Sequence, residues 1–219
     1  MSAILYDSIA RIARHEVNSR ATAGIGIVTE AYGADSSAKD YAVTVKMRDT
    51  GILLPRVPVA VYAAGFAALP AVNDLVVVVF ANGDISAGVV VGRLYSPDLE
   101  PPENADGQIV LRLPPGGGEP KINLELKWET PTISLKVDSD VAIECVKDKV
   151  EIKVGDLKAT LTSAGGGRAE IAAGGSTLTM KKDGEITVSS QGDLKLSGVN
   201  IEISAQGNLK IKGAKVDIN

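Results

Sequence analysis

From Gln108 onward, short apolar-polar-apolar segments recur about every seven or eight residues, and this periodicity constrains the fold more than any other feature of the 219-residue chain. Ile109-Val110-Leu111-Arg112-Leu113 and Ile122-Asn123-Leu124-Glu125-Leu126 open the series. Ile133-Ser134-Leu135, Val141-Ala142-Ile143-Glu144-Cys145, Val150-Glu151-Ile152 and further copies continue it. Near the end the repeat is explicit. Gly192-Asp193-Leu194-Lys195-Leu196-Ser197-Gly198 aligns fifteen residues on with Gly207-Asn208-Leu209-Lys210-Ile211-Lys212-Gly213, and Ile201-Glu202-Ile203 aligns with Val216-Asp217-Ile218. Side chains alternate faces along a strand, so each segment has one wet face and one apolar face that must pack on something.

A turn at such regular spacing reads as winding, the signature of a solenoid. Beyond Trp128 there is no aromatic residue, which predicts a narrow aliphatic core. Beyond Pro131 there is no proline, so every strand residue can donate to a ladder. Leu194, Leu196, Ile201, Ile203, Leu209 and Ile211 are the expected core positions, with Lys195 and Glu202 pointing out. Cys145 is in phase with Val141 and Ile143 and reads as a small core hydrophobe rather than a nucleophile. A fifteen-residue unit offers two strand faces, whereas a prism needs three per turn. Strand physics leaves open whether one chain closes the solenoid or three intertwine.

The rest of the chain differs in composition. All ten prolines fall between Pro55 and Pro131, and all eight aromatics at or before Trp128. Such a shift marks a domain boundary. The proline-rich, polar stretch 97–107 is the expected linker. It separates a domain over 21–96 from the repetitive region 108–219, and residues 1–20 precede both. In that first segment Leu5, Ile9, Ile12, Ala13 and Val17 recur at helical spacing. They predict an amphipathic helix that either covers one end of the next domain or docks a partner. Asp7 and Arg11 stand where a signal core would be apolar, so no secretory signal is expected and synthesis is expected in the cytoplasm.

Residues 23–95 read as five short strands. Tyr41 to Met47 alternates at period two, 57–62 alternates again, and Leu75 to Phe80 is a continuous apolar run. Asn82-Gly83 follows it as a hairpin signal before the strand over 86–94. Five strands in so short a span predict a small OB-like barrel.

Several stretches here carry a family resemblance. They are Leu54-Pro55-Arg56-Val57-Pro58-Val59, then Gly65-Phe66-Ala67-Ala68-Leu69-Pro70, then Asn73-Asp74 with the run to Phe80. Asn82-Gly83-Asp84 and Val89-Val90-Val91-Gly92-Arg93-Leu94-Tyr95 complete the set. Together they resemble the OB domain of spike proteins from contractile injection machines: the phage baseplate assembly protein V family and the VgrG proteins of type VI secretion. The resemblance implies an all-β chain with an N-terminal helix, an OB barrel and a C-terminal β-helix or prism needle formed as an intertwined homotrimer. It implies a structural spike that transmits contraction force to a target envelope as part of a tail or injection particle. It also implies a separate hub protein at the N-terminal or OB end. A small PAAR-type tip protein is expected on Lys215, Val216, Asp217, Ile218 and Asn219. Some related spikes end in a His-x-His element that binds iron. These last residues hold no histidine, so a metal tip is not carried over.

Other functions fare poorly. The net charge is -4, and residues 21–107 hold five basic against ten acidic side chains, the wrong sign for a nucleic-acid binder. An OB-type ligand binder would show a basic, aromatic face. A β-solenoid adhesin or tail fibre would show a signal peptide or a receptor-binding tip. A solenoid glycosidase would need convergent carboxylates and sugar-stacking rings, and the repeat has no rings beyond Trp128. One histidine and one cysteine leave no metal, cofactor or catalytic constellation to expect. Gly116-Gly117-Gly118 and Gly165-Gly166-Gly167 lack the Lys-Ser/Thr of a phosphate loop and read as turns.

Overall fold

The computed structural model describes residues 8, 22–33, 40–116 and 118–217. Except for residue 8, the helix expected over 1–20 lies outside the described residues. The chain divides into two compact units: Met1–Pro102 with Pro115–Glu119, and Glu103–Pro114 with Pro120–Asn219.

The first unit is built on β1 (Ala23–Tyr32), β2 (Ala42–Met47), β3 (Leu53–Pro58), β4 (Leu75–Phe80) and β5 (Gly88–Leu94). They pair antiparallel in the order β3-β2-β1-β4-β5. A parallel bridge between Val59 and Val90 joins the two ends, and the Ala60 N–H donates to the Val90 carbonyl at 2.8 Å. This closure makes the sheet an OB-like barrel. Val28, Val43, Val45, Val76, Val78 and Val90 fill its interior and are almost wholly buried. Small β-branched side chains suit a barrel this narrow, because the pleat packs them without rotamer cost. Gly26 lets β1 and β2 approach: a Cβ there would collide with Val45 and lie 3.1 Å from the Lys46 carbonyl oxygen.

The third strand is Leu53–Pro58 rather than the expected 57–62. Two prolines in that stretch argue against a strand on sequence alone. They are tolerated because the β3 ladder pairs only with β2. The Asn82-Gly83 reversal is present, with φ of 56° and 75°. Asp84 then accepts from the Ser86 hydroxyl at 2.7 Å and from its N–H at 2.8 Å, which lowers the Asp84 pKa. Tyr41 Oη accepts from the Ala68 N–H at 2.6 Å while Arg93 donates to the Ala68 carbonyl, so the long β3–β4 connection is clamped on both sides of one residue.

The second unit carries β6 (Gln108–Leu113), β7 (Ile122–Lys127), β8 (Thr132–Val137), β9 (Val141–Val146) and β10 (Lys149–Val154). β11 (Leu157–Thr162), β12 (Arg168–Ala173), β13 (Ser176–Lys181) and β14 (Ile186–Ser190) follow. Each pairs antiparallel with the next, in unbroken order from β6 to β14. The winding expected for residues 108–190 is therefore corrected: within one chain this region is a meander. The reason is arithmetic. A six-residue strand plus a two-residue turn also repeats every eight residues. Gly155 and Gly174, both at φ 55°, form such turns. Two-residue turns with positive φ match strand twist and fold the chain back on the strand just made. Beyond Ser190 the described residues contain no strand and no positive φ.

Candidate functional site

The meander has two chemically opposite faces, and its registers show how completely they are separated. Leu111 pairs with Leu124, Leu124 with Leu135, Leu135 with Ile143 and Ile143 with Ile152. The same row continues through Ala159, Ile171, Leu178 and Val188. A second row starts at Ile109 and Leu126, passes Ile133, Cys145 and Val150, and ends at Met180 and Ile186. A third starts at Leu113 and Ile122 and stays apolar through Val154, Leu157 and Ala173. Directly opposed residues share a face, so nine strands present one continuous aliphatic surface.

Nothing in the described chain covers it. No described residue beyond Val90 is buried, and Ile109, Leu161 and Ile186 are between 59% and 66% exposed. Ala159 and Ala169 leave a shallow dent of about 200 Å³ among Val150, Leu161, Leu178 and Met180. Soluble monomers rarely show an apolar patch larger than a few hundred Å². This surface exceeds that scale along the whole sheet.

The opposite face carries ion pairs. Lys149 lies 3.6 Å from Glu144 and 3.2 Å from Glu151, and Lys158 lies 3.0 Å from Glu151. Hydrogen bonds from Lys158 and then Lys149 hold the Glu151 carboxyl below its usual range. Glu151 in turn raises Lys149. Further along, Lys181 donates to Glu185 at 2.7 Å, lowering the glutamate and raising the lysine. These pairs are confined to one face, and the other carries the apolar rows. Among the described residues no group of three or more His, Cys, Asp or Glu is placed to hold a metal. No helix among them is long and apolar enough to cross a membrane.

The barrel of the first unit bears on the relationship. Residues 25–95 match the Type VI secretion system/phage-baseplate injector OB domain. The match spans β1 to β5 and supports the resemblance to baseplate spike proteins. It supports a structural role for the injector OB domain in a phage or type VI secretion baseplate. A search of curated proteins returned no match.

The residues expected at the needle core are not brought together within one chain. Leu194, Leu196, Ile201, Ile203, Leu209 and Ile211 lie outside any described strand, and all are more than half exposed. Of the expected tip residues, Lys215 pairs with Asp217 at 2.8 Å and Val216 is exposed. Ile218 and Asn219 lie outside the described residues. Cys145 sits in the second apolar row between Ile133 and Val150, on the face its alternation predicts. Trp128, the last aromatic residue of the chain, is largely exposed and lies against Gly107, at 3.0 Å from a Cβ position there. The sequence names the last core residues individually and marks the segments from Ile109 onward as apolar on one face. The alternation was visible, but only the register shows that the rows run unbroken across nine strands.

Proposed function

We propose that this chain is the central spike of a contractile tail or injection machine and works as a homotrimer. The observation that carries the reading is the uncovered aliphatic face of the meander, continuous from β6 to β14, in a chain that also carries an injector-type OB domain. Three such sheets, each turning its rows inward, make a triangular prism with a dry core and three charged outer walls. Roughly two dozen half-exposed aliphatic side chains would each gain about 1 kcal/mol on covering. That total exceeds the cost of association, on the order of 10 kcal/mol.

Residues 191–219 extend the prism in a second mode. Their apolar alternation persists without a hairpin turn, so each strand finds its ladder partners in the neighbouring copies, as an intertwined β-helix. Ladder hydrogen bonds around an aliphatic core make a stiff rod. Such a rod carries contraction force from the OB collar to a small contact area on a target membrane. A hub protein holds the N-terminal or OB end. Lys215 to Asn219 seat a PAAR-type tip, which covers an otherwise open sheet end.

Electron microscopy of the purified full chain tests the reading. Nine strands at about 4.8 Å span about 40 Å, and the following segment adds to that, so a thin rod protruding from a wider collar is expected. A compact particle with no rod would overturn it. Recovery of a tip protein by the full chain, and its loss on truncation after Gly213, tests the C-terminal contact separately.

A further inference from the structure

The two lateral edges of the meander carry different charges at fixed heights. Strands alternate in direction, so the turns after β6, β8, β10 and β12 line one edge, and those after β7, β9, β11 and β13 line the other. Counting from β6 towards β14, the first edge presents Lys121, then Asp138 and Asp140, then Asp156. The second presents Glu129 and then Lys147. Asp148 shares the turn with Lys147, but its carboxylate accepts from the Ser163 hydroxyl of its own chain at 3.4 Å. Lys121, Glu129, Lys147 and Asp156 are exposed and have no ion pair among the described residues.

Backbone hydrogen bonds tie the turns along each edge. On the first edge the Asp138 N–H donates to the Lys121 carbonyl at 2.6 Å and the Gly155 N–H to the Asp140 carbonyl at 2.8 Å. On the second the Ser163 N–H donates to the Asp148 carbonyl at 2.9 Å and the Lys182 N–H to the Gly167 carbonyl at 3.1 Å. The heights of the charges are therefore built into the fold. The aliphatic rows set no such height. Leu, Ile and Val follow one another along each row, so a neighbouring copy displaced by two strands would meet much the same surface.

We infer that neighbouring copies meet edge to edge, with Lys147 of one seated between the Asp138–Asp140 turn and Asp156 of the next, and that these charges set the height at which the copies align. The inference rests on the trimer proposed above. Turns on the two edges differ in height by one strand spacing, about 4.8 Å. Rotation about a common axis therefore interleaves the turns of one copy with those of the next. At equal height Lys147 falls between two acidic turns, and Glu129 falls next to Lys121. Raised by two strands, Glu129 would sit between the Asp138–Asp140 turn and Asp156, acid among acids. Lowered by two, Lys147 would sit beside Lys121. Each displacement trades attraction for like-charge contact, so the turns select one alignment and reject its neighbours. Exposed pairs of this kind add little affinity but fix register. Two sheets stacked face to face would hold their edges about 10 Å apart, so contact between edges belongs to three sheets rather than two.

Disulfide trapping in the full chain tests this, with Cys145→Ser as background. Within one chain Lys147 and Asp156 flank opposite ends of β10, about 20 Å apart. That is beyond disulfide reach, so any link joins two chains. Lys147→Cys with Asp156→Cys should give linked dimers and trimers on denaturing gels. Glu129→Cys with Asp156→Cys, three strand spacings apart at equal height, should not. In a protein of trimer mass, linking by the second pair, or by neither, would overturn the alignment. A single-chain mass would instead overturn the trimer beneath it. The role of charge has its own readout. Lys147→Glu should raise the concentration for half-assembly several-fold at low salt, and about 1 M salt should erase most of the difference. Equal assembly of Lys147→Glu and the unchanged chain at low salt would overturn the assignment to charge.

Discussion

Replacing Ile152 with aspartate separates a sheet that stands alone from one that closes on copies of itself. Ile152 lies in the middle row of the meander between Ile143 and Ala159 and is 43% exposed in the single chain. Fully burying such a side chain is worth about 1.5–3 kcal/mol, so a solitary half-buried site stands to lose about 1 kcal/mol. A prism changes the sum. Three carboxylates would then point at one axis in a dry core, each at several kcal/mol after relaxation. The predicted loss is more than about 3 kcal/mol per chain, or failure to assemble. Lys153→Ala, one residue on and on the charged face, should change stability by less than about 0.5 kcal/mol. Guanidinium melts over a wide range of protein concentration are the assay, because a folded state that requires assembly has a midpoint that rises with concentration. A loss near 1 kcal/mol for Ile152→Asp, with a midpoint independent of concentration, would refute the inward-facing rows.

The hairpin turns and the charged face give further tests. Gly155→Ala adds a Cβ that meets nothing within 4 Å, so its whole effect is the positive φ of 55°; a loss of about 1–2 kcal/mol in the same melts is expected. Glu151 has its pKa depressed by Lys158 and Lys149. Its contribution is therefore present above the usual carboxylate value of 4.5 and is lost as pH falls through the lowered folded value. Glu151→Gln should flatten the acid limb of the stability curve below that pH, slightly, because both lysines that pair with Glu151 remain more than a third exposed to screening solvent.

The barrel was legible in the sequence because its signals are local. The Leu75–Phe80 run and the Asn82-Gly83 turn each specify their own structure. The third strand starts earlier than its alternation suggests, because Pro55 argues against a ladder over 53–56 unless the strand is already known to pair on one side. The repetitive region was read correctly as to which side chains share a face, since Val141, Ile143 and Cys145 do align. Its connectivity was misread because winding and a meander share an eight-residue period. The deciding signals were small ones, Gly155-Asp156 and Gly174-Gly175, whose φ values exist only in the folded chain. Residues 191–217 show the opposite limit. Alternation is present and a ladder is not, so a single chain cannot display what those side chains face.

The mass of the folded full-length protein in solution tests the trimer most directly. Native mass spectrometry, with sedimentation velocity at matched concentration, should give three times the 22.7 kDa chain. No folded single chain should appear at any dilution before unfolding begins. A stable, fully folded species at 22.7 kDa would contradict it, because the apolar rows from Ile109 to Val188 would then face water without consequence.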